Sequence, residues 1–401
     1  MARFAPRLMV LPTSEHAARE LQRIKVDGCG ISEMVPKMRT LCIGLSGLEC
    51  RQANILKQEM LSLGGDAAVA RGTVACSIDS TDCILIGTAK QLGRLCRKLT
   101  SQPFALPELG GELESLLARV DVVPTAWQTS RRMLSLQRPL IMGILNVTPD
   151  SFSDGGRSFD HGRAFEKALQ MEAEGADIID IGGESTRPGA PSVSSDEESA
   201  RIIPVIERLA GSLKCAISVD TWKSGVAGRA LSAGAEIIND ISGFTFDPQM
   251  AGLAAATGAG VVLMHTRGTP DKMQQDTAYH DLLAEISTGL RTSLAHAREA
   301  GVSDGCIAID PGIGFGKGAA GNLELLRRLA ELSSFGLPIL TGPSRKSFIG
   351  KVLGREDTDD CLFGTAAAVA LSVSHGASIL RVHDVRAMRD VADMAHAVML
   401  S

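Results

Sequence analysis

Residue types able to bind charge or move protons recur at regular positions from about residue 140 onward. They are Asn146, the run Gly182–Gly189 (GGESTRPG), Asp220, Asn239 with Asp240, His265, Asp310, the Ser344, Arg345, Lys346 triplet, and Arg381 with His383. Each stands at or just after the end of a short apolar run. Singly, any of them fits a helix cap or a turn, as Asp220 before Thr221 would. Recurrence at eight run ends is not explained that way.

Two kinds of ligand group follow from these residues. Arg381 and His383 are two apart on one run, so in a strand both point the same way, and Asn146 closes the run that would lie beside them. Donors of that kind suit a phosphate or diphosphate, and an Asn oxygen can ligate an accompanying Mg2+. Asp220, Asn239 and Asp310 offer acceptors plus one amide. Such a set reads a flat, donor-rich heterocycle edge, because an ionised carboxylate takes two parallel N–H bonds. The same acidic set could instead hold a divalent metal. Lys346 precedes Ser347 at a helix start whose free N–H groups suit an anion. No Ser-His or Cys-His nucleophile pair is evident.

The elements that must position these groups are strands alternating with helices. The runs Leu140–Val147, Asp177–Gly182, Ala216–Asp220, Glu236–Ile241, Val261–His265, Ile307–Asp310, Pro338–Thr341 and Ile379–Val382 each precede a helix-length amphipathic stretch. In Arg163–Glu174, for example, Phe165, Ala168, Leu169 and Ala173 keep a three-to-four spacing. Eight such units over residues 139–401 predict a (β/α)8 TIM barrel, an α/β fold whose active face is at the C-terminal strand ends. A doubly wound open sheet is the alternative, but no G-x-G-x-x-G opens the first crossover. Two long glycine-containing loops, Thr148–His161 with Asp154 and Ser185–Ser195 with Arg187, exceed ordinary connections and read as lids over substrate.

Residues 1–125 read as a small α+β domain of unassigned role. Arg7–Leu11, Leu41–Leu45, Ala67–Ala70 and Cys83–Gly87 have strand character, and Leu48–Leu63 is an amphipathic helix stopped by Gly64 and Gly65. Residues 126–138 read as a linker into the barrel at 139–401. The balance of 41 basic and 46 acidic residues, with 2 Trp, 1 Tyr and 11 Phe, argues against a nucleic-acid partner. No apolar run approaches the ~20 residues that span a bilayer, and the start lacks a secretory signal, so a cytoplasmic chain with no membrane partner is expected. Nine cysteines without a C-x-x-C pair point to reduced thiols; the six in the first hundred residues are read as small buried hydrophobes or as a metal site.

Two longer segments are similar to the signatures of a known family. Ile144–Gly156 (ILNVTPDSFSDGG) and Asp180–Ala190 (DIGGESTRPGA) resemble those of dihydropteroate synthase. Ser218–Thr221, Ile238–Gly243, Met264 and His265, Asp310–Lys317, Ser344–Gly350 and Arg381–Val385 extend the likeness over about residues 139–401, in order. Residues 1–125 lie outside it. Small departures at Thr266, Arg267 and Pro343 remove no candidate ligand.

The resemblance implies condensation of (7,8-dihydropterin-6-yl)methyl diphosphate with 4-aminobenzoate to 7,8-dihydropteroate, releasing diphosphate, in a folate-pathway enzyme of the kind sulfonamides target. It implies an SN1-like, Mg2+-assisted displacement. Carried over by position, Asn146 would bind Mg2+ and diphosphate, with Arg381 and His383 on the diphosphate. Asp220, Asn239, Asp310 and Lys346 would bind the pterin. Thr186, Pro188, Phe315, Lys346 and Ser347 would frame 4-aminobenzoate, and Asp154 and Arg187 would belong to the ordering loops. A homodimer through barrel helices is implied as well. The rival readings are a corrinoid-linked pterin methyltransferase, which the two loop signatures disfavour, and a pterin-binding protein without catalysis, which Asn146, Lys346, Arg381 and His383 disfavour.

Overall fold

In a computed structural model the described residues are 6–148, 157–185, 192–270, 272–355, 357 and 359–400. The chain divides into two compact units, Met1–Val122 and Val123–Ser401.

The first unit is α+β. Strands Thr40–Glu49, Ser80–Thr88 and Asp66–Val69 form an antiparallel sheet in that order. Helices Cys50–Ser62, Ala89–Leu99 and Leu106–Leu117 supply its core, with Leu56, Met60, Leu92, Leu95 and Leu106 fully buried around Leu85 of the sheet. The first of these helices starts later than its apolar spacing predicts. Glu49 and Gln52 form a reciprocal capping box there, which fixes the start at Cys50. Arg7–Leu11 is not a strand. Leu8 and Val10 are exposed, and no described strand pairs with them, so β-prone residues alone make no ladder. Of the six early cysteines, Cys50, Cys83 and Cys96 are buried, whereas Cys29, Cys42 and Cys76 are exposed.

The second unit is the barrel. Its parallel strands, counted within the unit, are β1 (Leu140–Asn146), β2 (Ile178–Gly182), β3 (Ala216–Asp220), β4 (Ile237–Asp240), β5 (Gly260–Met264), β6 (Ile307–Asp310), β7 (Leu340–Thr341) and β8 (Ile379–Val382). They are ordered β6-β5-β4-β3-β2-β1-β8-β7, and a parallel bridge between Ile309 and Ile339 joins the two ends. The period-2 alternation of each strand sorts its side chains. Outward residues such as Ile179, Ile217, Ile238, Val261 and Leu380 pack under the helices. Inward residues are apolar at the N-terminal end, where Met142, Ile178, Ala216, Ile237, Val262 and Ile379 form one layer. Two residues further along the same strands the inward positions become Asp180, Ser218, Asn239 and Arg381.

Residues 126–138 are not a free linker. Ala126–Gln128 pairs with Met133–Ser135 as a hairpin, and the fully buried Trp127 joins the N-terminal apolar layer together with Leu136. The Trp127 indole N–H donates to the Cys306 carbonyl at 2.8 Å. The hairpin therefore plugs the end of the barrel opposite the polar residues. Among the described residues no helix is long and apolar enough to cross a membrane.

Candidate active site

The C-terminal mouth gathers residues from seven strands or the turns after them. Arg381 lies at its centre, donating from Nε to Asp180 Oδ2 and from Nη2 to Asp220 Oδ2, both at 2.6 Å. Asp180 Oδ2 also accepts from Asn239 Nδ2 at 3.0 Å, which turns the Asn239 carbonyl oxygen away from that pair. Asp180 is fully buried, and among the described residues its Oδ1 has no hydrogen-bond partner. It was not among the residues singled out by sequence. The signal was present in the register, because Asp180 and Gly182 are the inward-facing residues at the top of β2, as Ser218 and Asp220 are on β3.

Burial raises the Asp220 carboxyl above the ordinary range; Arg381 opposes the rise and Asp180 adds to it. Burial also opposes the charge on Arg381, but the Asp180 and Asp220 carboxylates more than offset this and hold it firmly protonated. Asp310 is buried at the end of β6 and accepts the Gly312 N–H on Oδ1 at 2.7 Å, with no hydrogen bond on its other oxygen among the described residues. Burial pushes its carboxyl up to about 6, against the Gly312 N–H and the Lys346 and Lys317 ammoniums.

Lys346 extends over the Phe315 ring, with Nζ 4.0 Å from the centroid. Burial and then Arg381 lower it to about 8, while Asp310 and Asp220 pull the other way. Gly314, at φ +83°, allows the Lys346 stem to pass: a Cβ there would come within 2.7 Å of Lys346 Cδ. Phe315 joins Ile241, Met264, Met273 and Trp222 in a small apolar cluster. A wall of that kind suits a planar ring.

Asn146 ends β1, and a Cβ on neighbouring Gly182 would meet Asp220 Oδ2 at 3.5 Å and Asn146 Oδ1 at 3.7 Å. The two oxygens thus flank a position without a side chain. The Ser344 hydroxyl accepts the His383 backbone N–H at 3.2 Å and lies 3.0 Å from His383 Nδ1. In the tautomer in which the Ser344 hydroxyl donates to Nδ1, the imidazole proton is on Nε2. Burial, with Arg381 nearby, lowers His383 to about 3, so it is a neutral donor and not a cation. Ser347 is exposed at the first position of helix Ser347–Leu353, which no side chain caps. Asp154, Thr186, Arg187 and Pro188 lie outside the described residues.

A second buried group was also missed. Lys223 Nζ donates to Glu184 Oε2 at 2.9 Å, Glu198 Oε2 at 2.7 Å and the Val193 carbonyl at 2.5 Å, and Glu184 Oε1 accepts the Val193 N–H at 2.9 Å. It fixes residues on either side of 186–191. Its members are spread over three elements, and no sequence spacing links them.

A plugged parallel barrel whose mouth sets open acceptors against half-buried cations has the donor and acceptor set of an enzyme for a flat, polar heterocycle beside an anion. The family described as pterin binding enzyme matches residues 142–383. A dihydropteroate synthase of Synechocystis is 48% identical over 262 residues, covering 65% of this chain and 91% of that protein. The chain belongs to the dihydropteroate synthase family. It is a transferase of alkyl groups in folate biosynthesis. The structure of dihydropteroate synthase from Xanthomonas albilineans in complex with 7,8-dihydropteroate superposes with a TM-score of 0.63 at 40% identity, covering 69% of this chain and 99% of that one. A probable bifunctional folylpolyglutamate synthase/dihydropteroate synthase of Haloferax volcanii is 38% identical over 385 residues. That match covers 93% of this chain, which spans 45% of the relative's length.

Proposed function

We propose that the mouth condenses (7,8-dihydropterin-6-yl)methyl diphosphate with 4-aminobenzoate through the residues named above. The supporting observation is the opposition of open acceptors on Asp220, Asn239 and Asp310 to the Lys346 ammonium in one buried mouth. Asp310 and Asn239 take the amino-pyrimidinone edge of the pterin, and Lys346 donates to a ring acceptor. Arg381, already oriented by Asp180 and Asp220, and the Nε2–H of His383 stabilise charge that develops on the departing diphosphate. The C–O bond breaks first, the pterin delocalises the resulting cation, and the neutral aniline nitrogen attacks it; the acidic anilinium so formed gives its proton to water or the released diphosphate, so no strong protein base is needed. Phe315, Lys346 and Ser347, with Thr186 and Pro188, frame the aminobenzoate; Asp154 and Arg187 belong to the loops over it.

The donors fit Mg2+ in one arrangement. Among the described residues no three His, Cys, Asp or Glu groups converge as a cage, and Asn146 offers a single neutral oxygen. Mg2+ commonly binds through one or two protein oxygens and substrate phosphates, so Asn146 would hold it together with the diphosphate. When bound, the ion neutralises charge on the leaving group.

The homodimer reading is supported by exposed apolar side chains on the last helices of the barrel, including Leu323, Val352, Phe363, Leu371 and Met394. Sedimentation equilibrium at micromolar concentration tests it, with a monomer as the contrary result. The deciding assay for the reaction measures diphosphate release from dihydropterin-methyl diphosphate with and without 4-aminobenzoate and Mg2+. Aniline-dependent dihydropteroate is expected; folded protein that forms none would refute the reading.

A further inference from the structure

The turn after β6 is held by side chains to an unusual degree. Gly312, Gly314 and Gly316 all have positive φ, at +72°, +83° and +61°, so the chain between Asp310 and Lys317 has little conformational preference of its own. One turn bond, from the Phe315 N–H to the Gly312 carbonyl at 3.1 Å, is supplemented by side chains. The Gly312 and Phe315 carbonyls accept from Lys317 Nζ at 3.0 and 2.9 Å, the Gly314 carbonyl from Gln274 Nε2 at 3.0 Å, and the Gly316 carbonyl from the Tyr279 hydroxyl at 3.0 Å. The Gly314 N–H donates to Asn322 Oδ1 at 2.7 Å.

We infer that Lys317, together with Tyr279, is a positioning residue: it fastens the Gly312–Gly316 turn so that the Phe315 ring is held beneath the Lys346 ammonium, where it frames 4-aminobenzoate. The inference rests on the role proposed above for Phe315. Lys317 is itself buried, and its third partner is His265 Nδ1 at 3.2 Å. An ammonium out of water is costly unless its protons are all taken. Two carbonyls and one imidazole nitrogen match its three protons, and they do so only with the turn in this shape. The Lys317 amine is occupied by protein acceptors and directed into the turn, so it acts through Phe315 and not on the reacting atoms. Tyr279, the single tyrosine of the chain, is in turn covered by the Arg267 guanidinium 4.7 Å from its ring centroid.

The test is steady-state kinetics of the full chain with each substrate varied, and calorimetry of the pterin diphosphate. Lys317→Met is expected to raise KM for 4-aminobenzoate roughly tenfold, as the loss of a charged hydrogen-bond set predicts, with pterin affinity within about threefold of the parent. Tyr279→Phe deletes one donor and keeps the ring; it is expected to raise the same KM about threefold. Because that change is small enough to leave the fold intact, it decides the matter if Lys317→Met does not accumulate as folded protein. Phe315→Ala separates the two levels of the argument. If it raises KM for aminobenzoate while Lys317→Met and Tyr279→Phe leave it unchanged, the positioning role is overturned and the Phe315 reading stands. If Phe315→Ala also changes nothing, both fail. A parallel loss of both substrates in Lys317→Met overturns the positioning role in favour of a general structural one.

Discussion

At the scale of single residues, the mouth leaves specific atoms unpaired among the described residues. Asp310 uses one oxygen on the Gly312 N–H; in the proposed complex the other accepts from the pterin, so Asp310→Asn would set an amide donor against the ligand's donor edge. We expect pterin binding to weaken by roughly 100-fold, more than a lost neutral hydrogen bond because donors are left unmatched. Calorimetry checks it, and affinity within threefold of the parent would remove Asp310 from the pterin edge. The same carboxyl predicts a pH dependence. Burial raises Asp310 to about 6, and the ionised form is the one that accepts two N–H bonds, so pterin affinity should rise as pH goes from about 5 to about 7. His383 and His265, lowered to about 3 by burial, stay neutral throughout that window, and Lys346, lowered to about 8, stays protonated; Asp220, pushed up to about 7, ionises towards its upper end and adds to the rise, while Lys317, lowered by burial to about 7, begins to lose its proton there. Affinity that falls over the same range would mean that the protonated acid is the binding form. That Asp220, Asn239, Asp310, Lys346 and Arg381 would meet at one mouth was legible because they stand near strand ends or in the turn that follows. Asp180 was not, since it lies inside a strand and only the closed barrel brings it to Arg381.

At the scale of elements, the eight strands were legible to within a residue or two because apolar runs bounded by polar turns occur at each. The short hairpin was not. Its strands Ala126–Gln128 and Met133–Ser135 are too brief to show a period, and Thr129, Ser130, Arg131 and Arg132 between them look like a solvated connector. Conversely, Arg7–Leu11 carries a strand's composition without a partner edge. What distinguishes the hairpin is one side chain, the fully buried Trp127. Trp127→Ala should destabilise the barrel unit by about 3–5 kcal/mol, the range for truncating a large core aromatic. Trp127→Phe, which keeps most of the packing and loses the bond to the Cys306 carbonyl, should cost about 1 kcal/mol. Urea unfolding followed by circular dichroism measures both. Equal, small losses would show that the plug contributes little.

At the scale of the whole molecule, a net charge of −5 says little about ligands, because in the proposed reaction the anionic substrates meet a few cations held in place inside one mouth. Buried carboxylates are part of that arrangement. Asp180 and Asp220 keep Arg381 charged and aimed where water would otherwise have to do so. Length is equally indirect, since the site residues described above and the plug that closes the barrel all fall in Val123–Ser401. That boundary carries a prediction about which part of the chain suffices. A fragment beginning at Val123 keeps the hairpin and is expected to unfold cooperatively and to turn over both substrates at a rate within a fewfold of the full chain. A fragment beginning at Pro139 keeps every candidate ligand but loses Trp127 and Leu136 from the apolar layer beneath them, and should lose more than about 3 kcal/mol. Comparing urea midpoints and turnover of the two fragments separates ligand supply from barrel closure. If the longer fragment folds but is inactive, residues 1–122 contribute to the reaction; if the shorter one matches it in stability, the hairpin is dispensable.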